Sequence, residues 1–473
     1  MRILLAASEG LPYVASGGLA DVAGSLSKAL VDLGEDCRVV LPLYSTIPQK
    51  FRDTLEYVTS FSVPLGWRRQ YCGVFKGEYN GVIYYFIDNE YYFKRDKIYG
   101  YYDDGERFAF YSRAILEMIY HLDWGPEVLH LNDWQTALSA VYLNLFYRKD
   151  WRFSNIRCVF TIHNIQYQGK YGLEISEDLF GIPFECSHIL EFDNCANLMK
   201  GAIVSCSKVS TVSETYAEEI KDPYFSYGLD PVIYRERAKV RGILNGIDTK
   251  LYDCATDPNI VKNFTSQATA GKRENKEALC NEMGMKYNPD KPLVVMVTRL
   301  VENKGIDLVK YVFDDIIANG MQFVMLGSGD KVYEDFFNEM KAKYPDDVGV
   351  YIGFNQALSK RVYAGGDIFL MPSQNEPCGL SQMIATRYAT IPVVRETGGL
   401  KDSIKDFGEE GEGQCGYTFK SYNAHDMLGA LLRAKGAYDN KTLWLKQMRM
   451  CLKKDFSWKN SAQKYIDLYN DAY

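Results

Sequence analysis

Residues 2–22 read RILLAASEGLPYVASGGLADV, a short apolar run followed by a glycine-bearing loop and the start of a helical period. The apolar run Ile3–Ala7 predicts a buried strand. From Leu19 to Leu33, leucine and valine recur at helical spacing until Gly34 ends the pattern. A strand, a loop and a helix in this order begin a doubly wound α/β fold, in which helices cover both faces of a parallel sheet.

The same alternation continues through the first half of the chain. Strands are predicted at Cys37–Leu43, Glu127–Leu131, Arg157–Ile162 and Lys208–Val212, with helices over 135–147 and 213–220. One hairpin interrupts the pattern, with Asn80 and Gly81 at its turn between Gly73–Tyr79 and Val82–Ile87. The first half is therefore expected to hold a largely parallel sheet.

A second series of strands and helices follows the segment NGID at 245–248. Its strands, about five in number, are predicted at Pro292–Leu300, Gln322–Leu326, Gly349–Gly353, Asp367–Pro372 and Pro392–Arg395, with a helix at Gly305–Ala318. Residues 249–290 are polar and uneven, as in a linker with small helices. Sheets of this kind bind ligands beyond the carboxyl ends of their strands, and two of them facing each other would form a cleft.

Composition and charge exclude several classes of protein. The 473 residues carry a formal charge of −7 without a block of basic residues, so neither nucleic acid nor an anionic membrane is expected as the main partner. The 11 cysteines include no C-x-x-C pair, which favours reduced, buried thiols and a cytoplasmic location. The sequence shows neither a signal-peptide core nor an apolar run long enough for a membrane span.

Several common catalytic motifs are absent from the sequence. No glycine-lysine pair is followed by serine or threonine, as a kinase-type phosphate loop requires, and no histidine precedes a glutamate as in an H-E-x-x-H zinc helix. A G-x-S-x-G nucleophile elbow is also missing. These absences favour a nucleotide-using transferase without a set of metal ligands.

Two segments of the first half place polar groups at predicted strand ends. The run Ser16-Gly17-Gly18-Leu19-Ala20-Asp21 offers main-chain N–H groups to a phosphate or sugar hydroxyl, although a tight turn with a helix-stabilising acid explains it as well. The run HNIQYQG at 163–169 follows a strand, and its polar groups cost desolvation unless they bind something. His163 is either part of a binding site or a packing residue.

Three segments of the second half repeat this arrangement. Arg299 and Lys304 follow a strand and can converge on a diphosphate, unless both are solvated surface cations. Glu376, in EPCGL at 376–380, can grip a sugar hydroxyl or stabilise an oxocarbenium-like centre, with helix capping as the alternative. The glycine pair of TGGL at 397–400 repeats the phosphate-loop pattern at the last strand.

Taken together, these segments resemble the bacterial glycogen synthase and plant starch synthase family over essentially the whole chain. The matching stretches are GGLADV at 17–22, NDW at 132–134, HNIQYQG at 163–169, NGID at 245–248, RLVENKG at 299–305, EPCGL at 376–380, TGGL at 397–400 and DFSW at 455–458. The resemblance implies a GT-B fold with two Rossmann-like domains around a cleft. Residues 1–245 would form the acceptor-side domain and 246–455 the nucleotide-sugar domain, and 456–473 would be a helix crossing back to the first.

The resemblance also implies the reaction. The family transfers glucose from ADP-glucose to the non-reducing 4-hydroxyl of an α-1,4-glucan, glycogen or starch, with retention of configuration. No metal and no cofactor are expected. Two alternatives remain open, a synthase that uses UDP-glucose and a non-catalytic glucan-binding homologue.

Residue roles follow from the same resemblance. Arg299 and Lys304 would hold the diphosphate, Glu376 would orient the donor glucose, and His163 would contact that sugar near its anomeric carbon. Asp133 would approach the acceptor and Phe354 would pack on the base. Tyr92, with its neighbours Tyr91 and Phe93, would present aromatic groups to glucan, although packing explains these three residues equally well. The other expected substrate-binding positions are Ser16, Gly17, Gly18, Asp21, Asn245, Cys378, Gly379, Leu380, Thr397 and Gly398.

The sequence departs from the family pattern at two positions. The family commonly has a lysine two residues before the glycine pair, near the donor phosphates, whereas this chain has Ala15. Loss of a charge-assisted hydrogen bond typically costs about 1.5–3 kcal/mol, so weaker donor binding is expected. The second acid of the E-x7-E pair found in many GT-B enzymes is Ile384 here, so recognition of the ribose must come from elsewhere.

Overall fold

The protein is described by a computed structural model covering residues 1–472. The chain divides into two compact units. Unit 1 comprises Met1–Asn245 and the chain from Trp458 onward, and unit 2 comprises Gly246–Ser457. Each unit alternates strands with helices, which confirms the predicted α/β class.

Unit 1 is built on a long mixed sheet. Its strands are β1 (Arg2–Ala6), β2 (Asp36–Pro42), β3 (Glu56–Leu65), β4 (Arg68–Tyr79), β5 (Val82–Asp88), β6 (Val128–Asn132), β7 (Arg157–Ile162), β8 (Lys170–Tyr171), β9 (Glu191–Phe192), β10 (Cys195–Asn197), β11 (Lys208–Thr211) and β12 (Val240–Gly242). The main sheet has the order β12-β11-β7-β6-β1-β2-β5-β4-β3, parallel from β12 to β5 and antiparallel beyond it. The strands β8, β10 and β9 form a small antiparallel sheet of their own.

The helices of unit 1 connect these strands. They are α1 (Gly18–Asp32), α2 (Gln49–Arg52), α3 (Glu90–Phe93), α4 (Asp104–Ile119), α5 (Leu138–Tyr142), α6 (Ile175–Asp178), α7 (Leu198–Ser205), α8 (Glu214–Glu219), α9 (Pro223–Ser226) and α10 (Asp230–Arg235). In α1 the periodic residues Leu19, Val22, Leu26 and Leu30 are all buried, as the helical spacing predicts.

Unit 2 contains a wholly parallel sheet. Its strands are β13 (Leu293–Val297), β14 (Gln322–Gly327), β15 (Val348–Ile352), β16 (Ile368–Met371), β17 (Ile391–Arg395) and β18 (Tyr417–Phe419), in the order β15-β14-β13-β16-β17-β18. The helices are α11 (Gly271–Glu282), α12 (Ile306–Tyr311), α13 (Phe313–Ala318), α14 (Lys331–Lys343), α15 (Gln356–Gly365), α16 (Ser381–Arg387), α17 (Gly398–Ser403), α18 (Ala424–Asp439) and α19 (Lys441–Leu452). All the strand pairs are parallel, so the carboxyl ends of the strands share one edge of the sheet.

The segment 249–290, expected to be a linker with small helices, is instead an integral part of unit 2. Buried lysines of α11 make the attachment: Lys272 Nζ donates to the carbonyl of Tyr388 at 2.6 Å, and Lys276 Nζ lies 2.7 Å from Asp367 Oδ2. An ammonium group buried in this way is stable only when its hydrogen bonds are satisfied. The prediction from polar composition was therefore wrong, because these lysines are buried and make hydrogen bonds inside unit 2.

The last helix, α20 (Trp458–Asn470), belongs to unit 1. The guanidinium of Arg157 donates to the carbonyl of Tyr469 at 2.8 Å, and the Tyr469 hydroxyl hydrogen-bonds His130 Nδ1 at 2.9 Å. Both Tyr469 and His130 are fully buried. The helix is therefore held to β6 and β7 through polar contacts inside the core.

The structure also refines several predicted elements. The predicted helix over 135–147 is divided into a 3₁₀ turn, α5 and a π-helical turn Leu143–Tyr147. The predicted helix at Gly305–Ala318 is interrupted at Val312, whose φ of −115° is not helical. Strand β3 was not predicted, because half of its residues are exposed and no continuous apolar run marks it.

Candidate functional site

The first group of candidate residues lies at neighbouring strand ends of unit 1. Asn132 ends β6 and pairs in register with Thr161 of β7, and His163 follows directly after β7. The Nε2 atom of His163 lies 2.9 Å from Asn132 Oδ1. Asp133 Oδ1 accepts a hydrogen bond from the main-chain N–H of His163 at 2.8 Å. Two consecutive residues therefore hold both the ring and the backbone of His163.

Asp133 itself is held in a strained backbone conformation. Its φ is +57° and its ψ is 177°, values that residues other than glycine rarely adopt. Strain of this kind persists only where the surroundings fix it, and it is concentrated at functional sites. The bond from Asp133 N–H to the carbonyl of Thr161, at 3.0 Å, is part of what fixes it here.

Burial changes the protonation of these groups. It raises the pKa of Asp133 to about 7, although the main-chain N–H groups of His163 and Asn164 act in the opposite direction. It lowers the pKa of His163 to about 3, so the imidazole is neutral at pH 7. The strand ends of unit 1 therefore present a neutral histidine beside a carboxyl group that titrates near neutrality.

The loop after β1 differs in detail from the prediction. The carboxylate of Glu9, a buried side chain, accepts hydrogen bonds from the N–H groups of Ser16 and of Gly17, the latter at 3.3 Å. These two donors, expected to face a ligand, already have a partner within the protein. Gly18 begins α1 and Asp21 lies in its first turn, as the sequence predicts.

Unit 2 brings Lys304 and Glu376 together. Lys304 Nζ lies 2.5 Å from Glu376 Oε2, and the hydroxyl of Ser373 donates to the same oxygen at 3.1 Å. The two parent loops are tied by a bond from Gln374 N–H to the carbonyl of Asn303 at 2.9 Å. Ser373 was not expected at the site, although its place directly after the predicted strand Asp367–Pro372 was a usable signal.

Glycines let these loops pack against each other. Gly305 has a φ of +74°, and a Cβ there would lie only 2.2 Å from the carbonyl oxygen of Pro372. Gly398 has a φ of +43°, and a Cβ there would lie 2.1 Å from the carbonyl oxygen of Glu376. That same carbonyl accepts from Gly399 N–H at 3.1 Å. Three segments therefore pack together as one assembly: the loop that carries Lys304, EPCGL at 376–380 and TGGL at 397–400.

The remaining candidates of unit 2 surround this assembly. Cys378 and Thr397 are buried, whereas Gly379, with a φ of +71°, and Leu380 are half-buried. Ile384 is buried in α16 and supplies no acid at its position.

Two further candidates are exposed. The side chain of Arg299 is exposed just beyond β13 and makes no hydrogen bond or ion pair within residues 1–472. Phe354, beyond β15, is 84% exposed. A guanidinium at the same strand-end edge as the Lys304–Glu376 pair and an open aromatic ring are both available to a ligand.

The prediction for Tyr92 is wrong. Its side chain is fully buried, its hydroxyl donates to Glu106 at 2.6 Å, and its ring packs against Phe110. Tyr92 is therefore a core residue that cannot present its ring to a glucan. Its neighbour Tyr91 is 67% exposed and can do so.

Asn245 is buried, and its Oδ1 has no hydrogen-bond partner among the described residues.

Neither a metal cluster nor a membrane helix is found in the part of the chain that the structure describes. Within residues 1–472, no group of three or more His, Cys, Asp or Glu side chains is arranged to hold a metal ion. Over the same residues, no helix combines the length and apolarity that crossing a bilayer requires.

Comparison with known proteins identifies the family. The family described as "Starch synthase catalytic domain" matches residues 2–235, and "Glycosyl transferases group 1" matches residues 285–436. Glycogen synthase of Bacillus anthracis is 48% identical over 472 residues, covering 99% of each chain. Glycogen synthase of Anoxybacillus flavithermus is 46% identical, covering 100% of this chain and 98% of its own.

Solved structures agree with this assignment. The catalytic domain of starch synthase IV from Arabidopsis thaliana, bound to ADP and acarbose, superposes with a TM-score of 0.91 at 33% identity, covering 100% of this chain and 99% of its own. Sucrose-phosphate synthase from Thermosynechococcus elongatus, at 16% identity, gives a TM-score of 0.62 with 99% of this chain and 98% of its own covered, and supports the fold alone. The GT-B fold and the resemblance seen in the sequence are confirmed, and the chain belongs to the glycogen and starch synthase family of glycosyltransferases.

Proposed function

We propose that this protein transfers glucose from ADP-glucose to the non-reducing 4-hydroxyl of an α-1,4-glucan, with retention of configuration. The observation that carries the proposal is the Lys304–Glu376 pair, held at the strand ends of unit 2 with the exposed Arg299 on the same edge. The choice of ADP is supported by the starch synthase IV catalytic domain, whose structure contains ADP.

The charges in unit 2 suit a departing nucleoside diphosphate. Negative charge grows on the diphosphate as the glycosidic bond breaks, and fixed cations stabilise that charge. Arg299 offers a planar fork for two phosphate oxygens and Lys304 offers a point charge. When Lys304 binds the diphosphate, its ion pair with Glu376 weakens. The Glu376 carboxylate would then accept a hydrogen bond from a hydroxyl of the donor glucose.

The strand ends of unit 1 suit the sugar. A neutral His163 does not repel the positive charge that develops at the anomeric carbon, and its main-chain carbonyl would stabilise that charge. Asp133 would act on the acceptor side, where a carboxyl with a pKa of about 7 can accept a hydroxyl hydrogen bond near neutral pH. In this proposal Phe354 packs on the base. The remaining donor-site positions are Ser16, Gly17, Gly18, Asp21, Asn245, Cys378, Gly379, Leu380, Thr397 and Gly398.

A transfer assay tests the proposal. The purified protein, given ADP-glucose and glycogen without added metal, should release ADP and lengthen the glucan. Arg299→Ala and Glu376→Ala should each lower the rate by at least about a hundred-fold, a loss of about 2.7 kcal/mol of transition-state stabilisation. Arg273→Ala, which removes an exposed arginine of α11, serves as the matched control and should keep the wild-type rate. Near-normal rates for both site variants would overturn the assignment.

The same assay separates the alternatives. Ala15 removes one cation expected near the donor phosphates, which favours a glucan-binding homologue without activity as the second candidate. That candidate predicts glycogen binding without ADP release. Competition between ADP-glucose and UDP-glucose on a glycogen primer decides the nucleotide.

A further inference from the structure

Asn132 has one orientation that satisfies its surroundings. Its side chain is 1% exposed, so both ends of the amide need partners inside the protein. The Nδ2 group donates to the carbonyl of Ala6, at the end of β1, at a distance of 3.0 Å. A carbonyl oxygen only accepts hydrogen bonds, so the NH₂ group must face Ala6 and Oδ1 must face the neighbouring strand.

This orientation determines which nitrogen of His163 carries the proton. Asn132 Oδ1 lies 2.9 Å from His163 Nε2, and an amide oxygen can only accept. Nε2 is therefore protonated. In the neutral ring Nδ1 then keeps a lone pair. Among the described residues, Nδ1 of His163 makes no hydrogen bond, and the side chain is half-buried rather than sealed in the core.

Burial, not the neighbouring charges, lowers the pKa of His163 and keeps its ring neutral. The titratable groups gathered at these strand ends are Asp133, Glu9, His130, Tyr99 and Tyr216. The Asp133 carboxylate is bonded to main-chain N–H groups rather than to the ring, and His130, on β6, is itself buried and neutral. A carboxylate at position 132 would change this balance, whereas the uncharged amide leaves the ring neutral.

We propose that Asn132 is a positioning residue, whose side-chain oxygen fixes the ring proton of His163 on Nε2 so that Nδ1 can accept a hydrogen bond from a substrate hydroxyl. The inference rests on the proposed function for its substrate, a sugar hydroxyl. Its structural part, the tautomer, stands on the contacts of Asn132 alone. An amide is required there because it both donates to Ala6 and accepts from His163 without adding charge.

The tautomer can be measured in the wild-type protein without any activity assay. The chain has 5 histidines, so ¹⁵N-labelled rings can be resolved, and His163→Gln assigns the signal of interest. The expected result is an Nε2–H tautomer whose ¹⁵N shifts do not change from about pH 5 to pH 9, a range around the ordinary histidine pKa of about 6.5. An Nδ1–H tautomer, or a ring that titrates in this range, would overturn the proposal.

Two variants then connect the tautomer to the reaction. Asn132→Leu keeps the size of the side chain but removes the acceptor, and kcat should fall about ten- to a hundred-fold, with less effect on the KM for ADP-glucose. Asn132→Asp introduces a group that titrates against the ring, so the rate should acquire a new dependence on pH and the His163 signal should titrate. A merely structural role for Asn132 would change neither the pH profile nor the ¹⁵N shifts.

A matched control adds the same charge elsewhere in unit 1. Asn144→Asp alters an exposed amide in the π-helical turn, away from the strand ends, and should leave both the profile and the His163 signal unchanged. If Asn132→Asp behaves like this control, the proposal fails. If the wild-type protein shows the expected tautomer but transfers no glucose, the proposed function fails while the tautomer assignment stands.

Discussion

Lys304 and Glu376, 72 residues apart in the chain, form an ion pair with 2.5 Å between Nζ and Oε2. The side chains are only 13% and 10% exposed, so the pair is largely shielded from water. A shielded charge that loses its partner is strongly destabilised, whereas an intact pair contributes little by itself. The two residues are therefore expected to act as a unit.

The first prediction concerns this unit. Lys304→Ala and Glu376→Ala should each lower kcat/KM by at least about a hundred-fold. In the double variant the decrease in kcat/KM should be much smaller than the product of the two single decreases, because the second change removes a group that has already lost its position. The measurement is kcat/KM for the four proteins of the cycle. Multiplicative losses would show that the residues act independently.

The second prediction concerns the glycine that places Lys304. Gly305→Ala should lower the thermal unfolding midpoint and the transfer rate together. A left-handed φ costs alanine about 1–2 kcal/mol, and the added Cβ would meet the carbonyl of Pro372 at 2.2 Å. The control is Gly429→Ala, in the interior of α18, where a Cβ meets nothing within 4 Å. Alanine there should stabilise the protein by about 0.5–1 kcal/mol. Wild-type stability and rate in Gly305→Ala would contradict the packing described for these loops.

The third prediction is a pH dependence of stability from Asp133. Its pKa is raised from 3.8 to about 7, so between these pH values the folded state keeps a proton that the unfolded chain has lost. The contribution of the Asp133 proton to the free energy of unfolding is fully present below about pH 4. It is lost as the pH rises through about 7. Asp133→Asn keeps an acceptor for His163 N–H and removes the titration, so its unfolding midpoint relative to wild type should increase from pH 5 to pH 8. The exposed Asp123, changed to Asn, should give a curve parallel to wild type. A parallel curve for Asp133→Asn as well would contradict the raised pKa.

The fourth prediction concerns the missing lysine. Ala15 is exposed in the loop before α1, so a longer side chain can be accommodated there. Ala15→Lys should lower the KM for ADP-glucose by about ten- to a hundred-fold, the value of one charge-assisted hydrogen bond. Ala15→Gln supplies length without charge and should have a much smaller effect. Equal effects of the two variants would show that charge at this position does not matter.

Sequence patterns predicted the strands best where burial was complete. Strand β7 runs from Arg157 to Ile162, the bounds given by its apolar run, because every one of its residues is buried. The edge strand β3 was not predicted, since its exposed residues leave no such run. Tyr92 was assigned wrongly because an aromatic side chain serves equally well in a core or on a sugar, and the sequence does not tell which.

The polar contacts of the site were harder to predict than its motifs. Asn132 and His163 are 31 residues apart, and only the parallel register of β6 and β7 places them side by side. The hydrogen bonds of Glu9 were not predicted, although Glu9 follows the first strand. The N–H groups that donate to it belong to a loop, and the sequence does not define the path of that loop. Local patterns identify strand ends, whereas hydrogen bonds between them depend on the assembled sheet.

The attachment of α20 to β6 and β7 makes unit 2 an insertion within the chain of unit 1. During synthesis, residues 1–245 leave the ribosome well before the helix that completes their core, and all of unit 2 emerges in between. The surface around His130 and Arg157 in the nascent first unit therefore stays uncovered until residues 458–470 have been synthesised. A fragment ending at Asn245 would keep the same surface uncovered, and we expect it to need the helix supplied in trans or fused by a short connection to remain folded.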